Sequence, residues 1–115
     1  MEARPVVGAV TALPAIKLAA EIDVTNSDQV YADLTAACVP GVHAVIADMS
    51  ETTFCDSSGV RALVRAHKVA ADLGIELSFA VTGEAVLRIL ELSGLIGILR
   101  IYPSVSAAVR AVSNP

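Results

Sequence analysis

The sequence predicts an α/β fold: a single domain with a mixed, mostly parallel sheet, an antiparallel first strand and about four helices, in the order ββαβαβαβα. Three observations lead there. Apolar runs of strand length alternate with segments whose apolar residues recur at helical spacing, the pattern that builds parallel sheets through right-handed crossover helices. Residues 42–47 are apolar apart from His43, as a strand covered on both faces tends to be. The chain has 115 residues, 55% of them hydrophobic against roughly 45 to 50% in ordinary domains. That is enough for one core over residues 1–115 and leaves no room for a second lobe.

Residues 6–13 read as a β-branched first strand, Pro14 and Ala15 as a turn, and residues 16–22 as a second strand closing on Glu21, Ile22 and Asp23. This is a hairpin opening. Thr25, Asn26 or Ser27 can cap a helix whose apolar positions are Val30, Leu34, Ala37 and Cys38, and Pro40-Gly41 stops it. The strand over 42–47 ends at Asp48. A second helix is predicted from Val60 to about Leu73, closed by Gly74. At about 100° per residue, its Arg61, Arg65, Lys68 and Asp72 fall within roughly a 60° arc, so one narrow stripe meets water. His67 lies in the apolar remainder and reads as a packed core-edge histidine. Ile75, Leu77, Phe79 and Val81 alternate with smaller or polar residues, the two-residue period of a strand. Thr82 or Gly83 opens a third helix ending near Gly94, residues 95–102 supply a last strand, and Ser104 caps a short helix carrying Val105, Ala108, Val109 and Val112. The C-terminal Ser113-Asn114-Pro115 should fray.

Composition removes several classes of function. Eight basic and 12 acidic residues give a net charge of −4 and a pI near 4.9, which disfavours nucleic acid and anionic membranes as partners. Aromatic residues make up 3% with no Trp, so the stacking platforms of single-strand binders are missing. The longest stretch without Asp, Glu, Lys or Arg is the 14 residues 34–47, interrupted by Pro40-Gly41, where a membrane helix needs about 18. Residues 1–5 have no secretory character, so a cytoplasmic protein with reduced thiols is expected. Cys38 and Cys55 lack metal-type spacing and read as buried, inert thiols. Neither a metal nor a cofactor is expected.

In open α/β sheets, function gathers where strand C-termini meet helix N-termini. That edge should collect Asp23 and the turn Asp56-Ser57-Ser58-Gly59. Plain capping explains the turn in one way, since Asp56 or Ser57 can accept the orphan amides of the following helix. The same turn has a functional reading. Ser58 would lie at the helix start beside Gly59, where an attached phosphate would meet backbone N–H groups and the positive end of the dipole. Physics alone does not choose between Ser57 and Ser58 as the acceptor.

The segment Val45-Ile46-Ala47-Asp48-Met49-Ser50-Glu51-Thr52-Thr53-Phe54-Cys55-Asp56-Ser57-Ser58-Gly59-Val60 resembles the core signature of the STAS domains of bacterial anti-sigma factor antagonists. There an apolar strand ends in Asp and leads to Asp-Ser-Ser/Thr-Gly-Leu/Ile/Val. Ala20-Glu21-Ile22-Asp23 is similar to the family's Gly-x-Leu-Asp, with Ala20 in place of Gly. Residues 86–95, Ile101-Tyr102 and Ala107-Ala108-Val109 resemble its closing helix, strand and helix, so the resemblance covers nearly the whole chain. It implies that an anti-sigma factor with a histidine-kinase-like ATP-binding fold phosphorylates the residue before the Gly, here Ser58. The unmodified antagonist captures the anti-sigma factor and frees the sigma factor; the phosphorylated one lets go, and a phosphatase resets it. The docking surface implied is Asp23 with Asp56, Ser57, Ser58 and Gly59. The low charge of residues 27–38 is a departure that bears on partner choice. A monomer without enzymatic activity is expected.

A phosphoserine adds about −1.5 to −2 charge beside Asp56 and Asp23. At an effective dielectric near 20 and roughly 6 Å, one such pair weakens binding on the order of a hundredfold before salt screening. Other chemistries fit less well. A serine hydrolase needs a histidine at Ser58, yet His67 is nine residues on, about 13.5 Å along the same helix, and His43 begins the third strand. Asp23, Asp48 and Asp56 suggest a phospho-accepting receiver pocket, but neither Lys17 nor Lys68 stands at the required strand end. The stripe of Arg61, Arg65 and Lys68 reads as a solvated face whose Arg61 end, beside Ser58, can also meet an acidic partner surface. A rival function is a scaffold or ligand-sensing module in a larger signalling assembly, without a sigma-factor role.

Overall fold

The computed structural model describes residues 13–113. Along them run β1 (Ala15–Lys17), β2 (Glu21–Ile22), α1 (Ser27–Ala36), β3 (Ala44–Asp48), β4 (Phe54–Cys55), α2 (Ser57–Asp72), β5 (Glu76–Ala80), α3 (Glu84–Leu92), β6 (Arg100–Tyr102) and α4 (Val105–Ser113). Four strands form one sheet in the order β1-β3-β5-β6, every neighbouring pair parallel. The α/β class with four helices is as the sequence predicts. The antiparallel first strand expected over 6–13 lies outside the described residues apart from Leu13, as does the end of the tail beyond Ser113.

The central strands sort their side chains by the two-residue period. On one face Val45 and Ala47 of β3 and Leu77 and Phe79 of β5 join the main core with Leu34 of α1, Leu63 of α2 and Leu90 of α3. On the other, Ile46 and Ala80 meet Ala108 of α4. Both central strands are buried almost throughout; β3 is nearly continuous in apolar residues, while β5 alternates them with Glu76 and the buried Ser78.

The expected strand over 16–22 is two short strands, and the reason is its partner. β3 ends at Asp48, whose carbonyl takes the amide of Leu18 at 2.9 Å. Beyond that point the chain leaves the main sheet. The Ala20 carbonyl accepts from Thr53 N at 2.7 Å, the Ala19 carbonyl accepts the buried Thr52 hydroxyl at 2.9 Å, and β2 pairs in parallel with β4. Two residues of β4 are too few for any periodicity to show in the sequence.

Two other boundaries move for local reasons. Helix α2 starts at Ser57, three residues before the expected Val60, because Asp56 caps it. The last strand is confined to Arg100–Tyr102. The preceding apolar stretch is a turn in which the amides of Ile98 and Leu99 both bond the Leu95 carbonyl, and Leu95 and Leu99 are buried one turn apart. Ser104 caps α4 as expected, accepting from Ala107 N at 3.0 Å.

Candidate functional site

The β2–β4 pair sets the site. Ile22 lies opposite Cys55, and the Asp56 amide bonds the Ile22 carbonyl at 3.1 Å, so Asp23 and Asp56 leave the pair side by side. Asp56 is extended and serves as N-cap of α2. Its Oδ1 accepts three hydrogen bonds: from Ser58 N at 2.9 Å, from Gly59 N at 3.0 Å and from the Ser58 hydroxyl at 2.6 Å. The Ser58 hydroxyl foremost, then the Gly59 amide, hold the Asp56 carboxyl below the usual carboxylate range; Arg61 adds a smaller attraction.

Gly59 stands where α2 crosses this pair. A Cβ there would be 2.6 Å from Cys55 Sγ and 2.8 Å from Ile22 Cγ2, closer than packed atoms come. The glycine in the turn is therefore a packing requirement: it lets the helix start approach β4 closely enough for Asp56 to cap it. Cys55 is buried beneath, and burial, helped by Asp56, pushes its thiol up to about 11. A thiol so held is protonated and a poor nucleophile at neutral pH.

Asp23 builds the turn into α1. Its carboxylate accepts from the Thr25 amide at 2.9 Å and from the Thr25 hydroxyl, its amide donates to Asn26 Oδ1 at 2.9 Å, and its carbonyl takes Ser27 N at 2.9 Å. Asn26 also donates to the Glu21 carbonyl at 2.8 Å, tying the turn to β2. This bracing sets Val24, Ser27 and Asp28 against Ser58, Arg61 and Arg65 of α2. A cavity of about 180 Å³ lies between them.

Asp23, Asp56, Ser57, Ser58 and Gly59, expected at the strand-to-helix edge, and Arg61, expected beside Ser58 on the helix stripe, do come together at this end. Their surroundings differ. Ser57 and Arg61 are exposed, Asp23, Asp56 and Ser58 are half-buried, and Gly59 is buried. Val24, 75% exposed, and Phe54, 46% exposed, sit beside the turn as apolar surface residues that the sequence reading did not single out. The only available signal was local: each is an apolar residue outside any periodic run. Arg65, on the solvated stripe of α2, lies over the Tyr31 ring at 4.1 Å and lines the cavity.

The other chemistry-bearing residues lie elsewhere. Asp48 accepts from Ser50 N at 2.9 Å, within its own turn, and Lys17 pairs with Glu51 at 3.0 Å in the open. His67 borders a separate cavity with Glu76 and Arg100, and its buried Nδ1 has no hydrogen-bond partner among the described residues. Among the described residues no three His, Cys, Asp or Glu side chains gather as a metal site would need, and no helix is long and apolar enough to cross a membrane.

Comparison with solved structures returns the same architecture from three bacteria. An anti-sigma factor antagonist from Mycobacterium paratuberculosis superposes with a TM-score of 0.76 at 22% identity, over 89% of this chain and 86% of that one. A sulfate transporter family protein from Wolinella succinogenes gives 0.75 at 14% identity, over 90% and 88%. An anti-sigma-factor antagonist (STAS) domain protein from Planctomyces limnophilus gives 0.66 at 18% identity, over 87% and 98%. At such identities the likeness is one of fold. Among curated protein sequences none matches significantly. The family model of the STAS domain matches residues 5–108, and this chain therefore belongs to the STAS domain family.

Proposed function

We propose that this chain is an anti-sigma factor antagonist, a non-enzymatic binding switch turned off by phosphorylation of Ser58. The observation that carries the reading is the placement of the Ser58 hydroxyl: in the first turn of α2, held by Asp56, in the wall of a cavity that also presents Arg61. The unmodified surface of Asp23, Asp56, Ser57, Ser58 and Arg61, flanked by Val24 and Phe54, binds a kinase-type anti-sigma factor, which then releases its sigma factor. Gly59 contributes by holding the turn against β4. In the kinase step the Ser58 oxygen bonds the γ-phosphorus of the partner's ATP, the bond from that phosphorus to ADP breaks, and the hydroxyl proton is released. The added charge drives the complex apart, and a phosphoserine phosphatase restores the hydroxyl.

In this reading the chain is one STAS domain over residues 1–115, monomeric and cytoplasmic, with no cofactor of its own. Incubation with its kinase and ATP, followed by peptide mass spectrometry, should find a single phosphate on Ser58. Phosphate on Ser57 or Thr53 instead would overturn the assignment. The likeness to a sulfate transporter family protein favours a second reading, a scaffold or ligand-sensing module. A pull-down with the unmodified chain separates the two: a small ATP-binding kinase supports the switch, and a large assembly of related domains supports the scaffold.

A further inference from the structure

Phosphorylation changes the chemistry between Asp56 and Ser58. In the unmodified chain the two oxygens stand 2.6 Å apart because a proton lies between them. Esterified, Ser58 Oγ has no proton to give and carries a dianion against a carboxylate. The Asp56 oxygen meanwhile stays fixed by the Ser58 and Gly59 amides that it caps. Ser58 must therefore turn its side chain away from Asp56. Besides solvent, the open space that half-buried Ser58 borders is the cavity of about 180 Å³ between α1 and α2.

That cavity is furnished for an anion. Arg61 and Arg65 follow Ser58 at i+3 and i+7, so all three share one face of α2 and all three line the space. Arg65 is steadied over the ring of Tyr31 at 4.1 Å and makes no hydrogen bond or ion pair among the described residues. Arg61 makes no hydrogen bond or ion pair among the described residues. Asp28, on the α1 side, is the one acidic residue of the lining among the described residues and works against an anion. Two guanidinium forks outweigh it, since such groups bind phosphate oxygens through paired, charge-assisted hydrogen bonds.

We propose that phosphorylated Ser58 folds its phosphate into this cavity, where Arg61 and Arg65 clamp it. The inference rests on the reading of Ser58 as the phosphoacceptor and adds how the off state is held. The modification then acts twice. It places negative charge at the docking surface, and it withdraws from the partner both arginines and the opening between α1 and α2.

The test needs no partner. The full chain is made with phosphoserine installed at position 58 by genetic code expansion, and the phosphate is titrated by ³¹P NMR. The clamp predicts a second ionisation about one pH unit below the ~6 of an exposed phosphoserine. Arg61→Gln with Arg65→Gln should return it most of the way, while Lys68→Gln should leave it where it is, with melting curves showing all chains folded. The same ionisation in wild type and the double variant, whether low or ordinary, would overturn the clamp. Because the phosphate is installed without a kinase, that result would leave the acceptor assignment standing. Failure of a kinase to label Ser58 would sink the assignment without changing the titration.

Discussion

The Ser58 hydroxyl donates to Asp56 Oδ1 at 2.6 Å, and the same oxygen receives the amides of Ser58 and Gly59. One carboxylate thus starts helix α2 and orients the proposed phosphoacceptor. Replacing it by alanine removes all three bonds, and N-cap losses of this kind measurably destabilise a helix. Asp56→Ala should lower the melting temperature by several degrees, whereas Asp56→Asn, which keeps an acceptor oxygen, should lower it less. Thermal unfolding of the two variants at neutral pH checks the order.

The depressed Asp56 pKa sets a pH dependence with a definite sign. A carboxyl whose folded pKa lies below its ordinary value near 3.8 stabilises the fold above that value, and the contribution is lost as pH falls through the folded pKa. The difference in melting temperature between wild type and Asp56→Asn should be constant from neutral pH down to about 5 and shrink below about 4. A difference that grows on acidification would contradict the assignment of the shift to the cap.

Gly59→Ala puts two effects in opposition. Alanine in place of glycine in a helix gains about 1 kcal/mol, while forcing a methyl into a packed site costs about 1 to 3 kcal/mol. With Cys55 Sγ at 2.6 Å and Ile22 Cγ2 at 2.8 Å from the new Cβ, the clash should win. A net loss of up to about 2 kcal/mol is expected by denaturant titration. Adding Cys55→Ala removes the nearer obstacle and should recover part of the loss, a coupling that a double-mutant cycle reads directly.

The apolar flanks of the site give a prediction about the partner. Val24 and Phe54 are exposed, so their replacement should leave the fold intact. In a docking surface, exposed apolar residues beside polar ones act as anchors. Val24→Ser with Phe54→Ser should weaken binding of the anti-sigma factor about tenfold or more, about 1.4 kcal/mol, with an unchanged melting temperature.

The parts of this fold that the sequence discloses are those governed by periodicity. Strand β3 shows itself as an apolar run because both its faces are buried, β5 as an alternation because its large residues Leu77 and Phe79 both face the main core, and α2 as a narrow charged stripe on a largely packed helix. What stays hidden depends on partners. The break at residues 18–20 follows from where β3 stops, and the Leu95–Leu99 turn reads as strand because a buried pair one turn apart is as apolar as a strand. At the site, Asp23 and Asp56-Ser57-Ser58-Gly59 are legible as turn and cap chemistry, and the spacing of Arg61 and Arg65 from Ser58 is visible too. The cavity is not, because its other wall comes from α1 and the turn before it.

The central claim is that the surface at Ser58 binds a partner and that negative charge there releases it. Calorimetric titration of wild type, Ser58→Ala and Ser58→Asp against the kinase-type anti-sigma factor tests it most directly, with ADP as the nucleotide so that no phosphate is transferred and with melting curves as the folding control. Ala is a good helix former and Asp suits a first helical turn, so both variants should melt within a few degrees of wild type. Ser58→Ala should bind nearly as tightly as wild type and Ser58→Asp more weakly, by less than full phosphorylation would cause because Asp brings about one charge on a shorter reach. Equal affinities for all three folded proteins would mean that the turn only caps α2 and that the binding surface lies elsewhere.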